Sequence, residues 1–147
     1  MDVDRDAPDY AEGSIEIDAP RETVWQVLVG FAEWPSWNEG VASVEFAGPL
    51  ERGALFRWKS GPGTIRSRVE EVDEPAAIAW TGKTVGIKAK HAWQLEAAGP
   101  GRTVVTTQES WNGLVVRFLR HSIRPTLQKS IDDMLEALRR ESERLAA

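Results

Sequence analysis

The sequence predicts an α+β domain in which a strongly curved antiparallel sheet of about seven strands wraps around a long C-terminal helix. One β-type run stands near the N-terminus, six more follow a helical segment, and residues 114–147 carry an apolar stripe at helical spacing. Two short helices are expected after the first strand. At 147 residues the chain has the length of one domain, which we assign to residues 14–147.

The N-terminal end is predicted to be a flexible tail followed by the first strand. Residues 1–13 are acidic and lack an apolar core, so they resemble neither a signal peptide nor a transit peptide. Residues 14–18 alternate, with Ile15 and Ile17 on one side, which is typical of a half-buried strand.

A helix is predicted over residues 20–31. Pro20 suits its first turn, and Gly30 marks its end. Its apolar face is formed by Val24, Val27, Leu28 and Phe31. The segment 33–38 contains Pro35 and is therefore expected to form at most one short helical turn.

Six β-type runs account for the middle of the chain. They cover residues 41–47, 54–60, 63–72, 76–82, 87–98 and 102–111, and turn-forming residues separate them at 48–49, 61–63, 73–75, 82–86 and 99–101. The connections are too short for parallel crossovers, so the runs predict an antiparallel meander.

The last segment is predicted to be one long helix that the sheet covers. Its apolar stripe consists of Ile123, Leu127, Ile131, Met134, Leu135, Leu138 and Leu145. Pro125 is expected to kink this helix or to mark its true start. A meander can cover such a stripe only by curving, and the curvature leaves space between sheet and helix unless side chains fill it.

The strand register predicts which side chains face that space. If the last hairpin turns near Pro100, residues whose numbers sum to roughly 200 lie opposite one another. The resulting pairs are Leu95 with Val105, Trp93 with Thr107, His91 with Glu109, and Ala89 with Trp111. The odd-numbered face must point inward, because the even face would bury Lys88 and Lys90. A turn near Pro75 likewise places Trp80 opposite Val69.

The candidate ligand-binding set consists of large apolar and aromatic side chains with a few polar groups among them, as in small-molecule pockets. Its members are Trp34, Trp37, Phe56, Trp58, Ile65, Ser67, Val69, Ile78, Trp80, Ala89, His91, Trp93, Thr107, Glu109, Trp111, Ile131, Met134 and Leu135. For the rings, core filler and cavity wall look identical in sequence. Trp34 and Trp37 either gate the mouth of the pocket or cap the core.

His91 and Glu109 are the candidate catalytic residues. They are expected to lie opposite each other in an otherwise apolar row. Such a pair either anchors a ligand carbonyl or hydroxyl and moves a proton, or satisfies itself across the sheet and binds nothing.

Composition excludes several kinds of chemistry. The chain has no cysteine, and His91 and His121 lack the spacing of a metal site, so neither a metal nor any other cofactor is predicted. A net charge of −5 argues against nucleic-acid binding, and no run is long enough for membrane insertion. A cytoplasmic monomer or homodimer is expected.

Several motifs resemble the SRPBCC or START-like superfamily, and within it the bacterial polyketide cyclase/dehydrase-like branch. They are the run from Ile15 to Pro20 with Thr23-Val24-Trp25, the run from Glu33 to Asn38 with Val41, the run Trp93-Gln94-Leu95, the turn over 99–103, and the run from Glu109 to Gly113 before the final helix. The resemblance spans roughly residues 14–145. It implies a helix-grip fold with a deep cavity between the sheet and the C-terminal helix. Members bind lipids, sterols, polyketides or plant hormones, and a minority catalyse cyclisation and dehydration.

Three functions remain open from the sequence. The first is binding of a small hydrophobic or aromatic ligand, lipid-like or polyketide-like, without a cofactor. The second is a cofactor-free polyketide-type cyclase or dehydratase in which His91 acts as the acid or base and Glu109 orients it. The third is a protein-interaction module, which requires an exposed apolar patch that the sequence does not reveal.

Overall fold

The computed structural model describes residues 1–61 and 63–147 and confirms the predicted fold class. The strands are β1 (Asp9–Ile17), β2 (Ser43–Phe46), β3 (Leu55–Ser60), β4 (Gly63–Asp73), β5 (Ala77–Thr84), β6 (Ile87–Ala97) and β7 (Thr103–Asn112). The helices are α1 (Arg21–Val29), a 3-10 turn at Phe31–Glu33, α2 (Trp34–Trp37) and α3 (Leu114–Ala146).

The seven strands form one antiparallel sheet in the order β1-β7-β6-β5-β4-β3-β2. From β2 to β7 every strand pairs with its neighbour in sequence, as a meander requires, and β1 joins the far edge beside β7. The concave face of the sheet packs against α1 and α3, and the buried apolar side chains lie between these layers.

Strand β1 begins at Asp9, five residues before the predicted start. Residues 9–13 therefore pair with β7 and do not belong to the tail. The sequence concealed this part of the strand because its inward positions hold Asp9, Ala11 and Gly13, none of which is a bulky apolar residue. Gly13 faces Ile131 and Leu135 of α3.

The predicted apolar stripe of α3 is buried along most of its length, and the helix is kinked near its N-terminus. Leu127, Ile131, Leu135 and Leu138 are buried as predicted, whereas Leu145 is 53 % exposed because it lies in the last turn, away from the sheet. The predicted kink occurs at Leu119, whose φ of −114° and ψ of 19° are not helical, and not at Pro125. Pro125 crowds the carbonyl four residues before it, at His121, so the kink at Leu119 lies further upstream than the proline ring itself reaches.

Two turns differ from expectation or cannot be described. Strand β5 continues to Thr84, so the predicted turn over 82–86 shortens to Val85 and Gly86, with Gly86 at a φ of +75°. The predicted turn over 61–63 includes Pro62, which lies outside the described residues.

Gly30 ends α1 as predicted. No helix among the described residues has the length and apolar character needed to cross a bilayer.

The contact between Gly13 and α3 supplies a test of the packing. A Cβ atom on Gly13 would lie 2.8 Å from Leu135 Cδ1 and 3.2 Å from Ile131 Cγ2. We expect Gly13→Val to lower the free energy of unfolding by about 1–3 kcal/mol in urea titrations, because the added methyl groups overpack the interface. The neighbouring exposed Ser14→Val is the matched control and should change it by less than about 0.5 kcal/mol. Equal effects of the two substitutions would contradict this packing.

Candidate functional site

The predicted register of the central hairpin is confirmed. Leu95 lies opposite Val105, Trp93 opposite Thr107, His91 opposite Glu109, and Ala89 opposite Trp111. Trp80 lies opposite Val69, also as predicted. The neighbouring strands continue this line of residues on the concave face. We call it the His91 row, and it consists of Ala11, Glu109, His91, Trp80 and Val69 on five adjacent strands.

Many of the predicted lining residues form the packed core. The members that are 3 % exposed or less are Trp34, Phe56, Ser67, Val69, Ile78, Trp80, Trp93, Thr107, Ile131 and Leu135. Their rings contact one another: the ring centroids of Trp34 and Trp80 are 5.7 Å apart, and those of Trp80 and Trp93 are 6.2 Å apart. Phe31 stacks on Phe56 at 4.3 Å. These rings fill much of the space in which the resemblance implied a deep cavity.

Two surface depressions lie away from this space. One, of about 550 Å³, lies between the N-terminal residues 1–6 and the outer face of β6 and β7. The other, of about 260 Å³, is formed by α1, the short helical segment after it and the end of α3, and it includes Trp37. Trp37 is therefore separate from the His91 row. Met134 contacts Asn38, whose Nδ2 lies 2.9 Å from Met134 Sδ.

The remaining predicted residues keep partial exposure on the concave face. They are Trp58, Ile65, Ala89, His91, Glu109 and Trp111, and we call them the concave site. Two of them, Ala89 and Trp111, belong to a second row, in which Trp111, Ala89, Gly82 and Ser67 follow one another from β7 to β4. Ala89, Gly82 and Ser67 are small, so this second row has less side-chain bulk than the His91 row beside it. A Cβ atom on Gly82 would lie 3.2 Å from Ile65 Cγ2.

Hydrogen bonds fix the protonation pattern of His91. The Thr107 hydroxyl donates its only proton to the Ala92 carbonyl, at 2.9 Å. Thr107 Oγ1 can therefore only accept from His91 Nε2, which lies 2.8 Å away, so that Nε2 carries a proton. The other ring nitrogen, Nδ1, faces Glu109 Oε1 at 3.4 Å. Glu109 Oε2 accepts a hydrogen bond from Trp111 Nε1 at 2.8 Å.

The electrostatic environment favours the neutral imidazole. Burial lowers the pKa of His91 below its ordinary value, and the nearby Glu109 carboxylate offsets only part of this effect. The 3.4 Å separation would suit an ion pair, but the desolvation of the ring is the larger effect. At neutral pH the Nδ1 lone pair and Glu109 Oε1 are then two acceptors side by side. Both residues keep 13–14 % side-chain exposure, so a hydrogen-bond donor can reach them.

Asp9 is a polar residue of the concave face that the sequence analysis missed, because it lay in the predicted tail. Its side chain is fully buried, neither carboxylate oxygen is hydrogen-bonded within the described residues, and the nearest cation is Arg124 Nε at 3.7 Å. Burial raises the pKa of the Asp9 carboxyl, and the Arg124 guanidinium offsets only part of the increase. No group of three or more potential metal ligands occurs within residues 1–61 and 63–147.

Fold and concave face together define an α+β domain in which a curved antiparallel sheet holds a long helix against its inner face. The chain belongs to the family described as "Polyketide cyclase / dehydrase and lipid transport", which matches residues 10–143. No curated protein sequence matches the chain.

Solved structures share the fold at low sequence identity. A hypothetical protein, jhp0584, from Helicobacter pylori superposes with a TM-score of 0.81 at 19 % identity, covering 94 % of this chain and 90 % of that one. The Zhui aromatase/cyclase from Streptomyces sp. R1128 gives 0.78 at 18 % identity, with 92 % and 93 % covered. A START superfamily protein from Mycobacterium smegmatis gives 0.75 at 16 % identity, with 92 % and 98 % covered.

Asp9 generates a prediction about the pH dependence of stability. The pKa of this carboxyl is higher in the folded chain than in the unfolded chain, so the wild type loses stability as pH rises through the folded value. Asp9→Asn should therefore be more stable than the wild type at pH 7, by roughly 1 kcal/mol, because no desolvated charge is left. Below the ordinary carboxyl pKa of 3.8 the difference should shrink.

Chemical unfolding between pH 3 and pH 7 measures this difference. Asp73→Asn, at an exposed position at the end of β4, is the control and should be nearly neutral at every pH. A clear loss of stability in Asp9→Asn at pH 7 would show instead that the pairing with Arg124 outweighs the cost of burial.

Proposed function

We propose that the protein binds a small hydrophobic or aromatic molecule on the concave site, with a hydroxyl or other donor group of the ligand held by His91 and Glu109. The observation that supports this most directly is the pair of adjacent acceptors, His91 Nδ1 and Glu109 Oε1, on a face lined mainly by rings and aliphatic groups. Two adjacent acceptors at a largely desolvated position hold a donor well, so a ligand that supplies the donor gains affinity.

The apolar part of the ligand has a matching surface. Ala89 and Gly82 contribute little side-chain bulk, Ile65 covers Gly82, and Trp58, Ile65 and Trp111 are partly exposed. Trp58 Nε1 donates to Ser67 Oγ at 3.0 Å, so the polar atom of this indole is already satisfied within the protein. A flat apolar ligand can therefore pack on these rings without competing for their hydrogen bonds.

Family membership is compatible with this proposal. The family description names polyketide cyclase, dehydrase and lipid transport, all of which concern molecules with large apolar parts. The Zhui protein is described as an aromatase/cyclase. At 18 % identity this relative indicates the fold alone, so the ligand class rests on the concave site itself.

A cofactor-free cyclase or dehydratase is the second candidate. It is favoured by the protonation pattern of His91: a neutral imidazole with a free Nδ1 lone pair is the form that a general base requires. Glu109 would then stabilise the imidazolium that forms when His91 takes a proton. Binding and catalysis would use the same two residues.

Two matched probes test the proposed binding mode. We expect 1-naphthol to bind the wild type about tenfold more tightly than 1-methoxynaphthalene in isothermal titration calorimetry, because only the naphthol donates a hydrogen bond. Glu109→Gln should abolish this preference, because its amide can donate to His91 Nδ1 and so satisfy the acceptor internally. Binding of 1-methoxynaphthalene should be retained.

Glu96→Gln, on the exposed outer face of β6, is the matched control and should keep the preference for naphthol. The proposal fails if neither probe binds, or if the wild type binds both with equal affinity. Conversion of a hydroxylated probe by the wild type but not by Glu109→Gln would favour the enzyme candidate over simple binding.

A further inference from the structure

One end of the molecule combines exposed apolar side chains with an excess of positive charge. Val85 in the β5–β6 turn is 90 % exposed, and Leu114 and Phe118 in the first turns of α3 are 69 % and 84 % exposed. Leu119, at the kink, is 51 % exposed. Large apolar side chains are rarely left so open in a group unless another surface covers them.

The turn and the helix form one surface. A Cβ atom on Gly86 would clash with Val115 Cγ2, and one on Gly113 would clash with the Gly86 carbonyl oxygen. The β5–β6 turn is thus pressed against the start of α3. Val85 directly precedes Gly86, and Leu114 directly follows Gly113. The exposed apolar side chains of the turn and of the helix therefore lie together. We call Val85, Leu114, Phe118 and Leu119 the apolar tip.

The charge around the apolar tip is opposite to that of the rest of the molecule. The two segments that form the apolar tip, residues 82–90 and 113–121, contain five basic residues and no acidic residue. The other 129 residues carry 13 basic and 23 acidic side chains. Arg117 and Arg120 are exposed beside the apolar tip. Asp4 accepts a hydrogen bond from Asn112, and Asp9 pairs with Arg124, so these two carboxylates offset part of the positive charge at the base of the tip. This end of the molecule therefore carries an excess of basic side chains, although the whole chain has a net charge of −5.

We propose that the apolar tip is a docking surface for an anionic lipid bilayer, on which the protein lies without spanning the membrane. Exposed apolar side chains enter the boundary between headgroups and acyl chains, while the surrounding arginines and lysines attract anionic headgroups. A nucleic acid would use the basic groups but gain nothing from Val85, Leu114 or Phe118. A second copy of the chain would bring two basic ends together, which is electrostatically unfavourable.

The proposal does not depend on the ligand of the concave site, and the two can fail separately. The bilayer experiment needs no ligand, and the naphthol experiment needs no bilayer. The acidic remainder of the surface also gives an orientation: it is repelled by an anionic bilayer, so the basic end should face the membrane.

Vesicle co-sedimentation tests the docking surface. We expect the full chain to bind vesicles of phosphatidylcholine with about one-third phosphatidylglycerol, to bind pure phosphatidylcholine far more weakly, and to dissociate as salt is raised. The double variant Val85→Ser/Phe118→Ser should lower the partition coefficient about tenfold or more, because the groups that enter the bilayer are lost. Arg117→Gln/Arg120→Gln should lower it by a similar factor while leaving the apolar tip intact.

The matched control is Leu55→Ser/Leu145→Ser, in which the leucines are 68 % and 53 % exposed but lie outside the two basic segments. It should bind vesicles like the wild type, and circular dichroism should show all variants folded. The proposal is overturned if the wild type binds neither vesicle, if it binds both equally, or if the control loses as much affinity as Val85→Ser/Phe118→Ser. A wild-type dimer in sedimentation equilibrium that this double variant breaks would assign the surface to a second copy instead.

Discussion

The antiparallel pairing of β6 with β7 decides which side chains face the helices. Because successive side chains of a strand alternate between faces, this single register places His91 opposite Glu109 and Ala89 opposite Trp111, all four on the concave side. A shift by one residue would exchange this set for Lys88, Lys90 and their neighbours. Two lysines would then face the core, so the apolar helix on the concave face selects the observed register.

The same pairing determines where the inward side chains of the concave face are large and where they are small. Towards the β4–β5 turn the inward positions hold Trp93 and Ile78, and both side chains are buried. Towards the β5–β6 turn they hold Ala89 and Gly82. The polar pair His91 and Glu109 lies between these two regions, so in the proposed binding mode the edge of an apolar ligand would meet the acceptors.

Local patterns were sufficient to predict the fold and the face. Alternation in β6 and β7 gave the inward set and its partners, and the apolar stripe of α3 gave the helix that covers it. The start of β1 could not be predicted, because Asp9, Ala11 and Gly13 carry no apolar periodicity and are defined only by pairing with β7. Whether a ring such as Trp80 fills the core or lines a hollow depends on distances between elements far apart in sequence. The basic, apolar character of the β5–β6 turn and the start of α3 emerged only when the fold brought them together.

Thr107 holds His91 as the neutral tautomer protonated at Nε2 and leaves Nδ1 free to accept beside Glu109. Nitrogen-15 NMR of the imidazole rings at pH 7, with a His121→Gln variant to assign the signals, measures this tautomer. We expect a protonated Nε2 and an unprotonated Nδ1 for His91. Protons on both nitrogens, or on Nδ1 alone, would show that Thr107 does not hold the ring in this way.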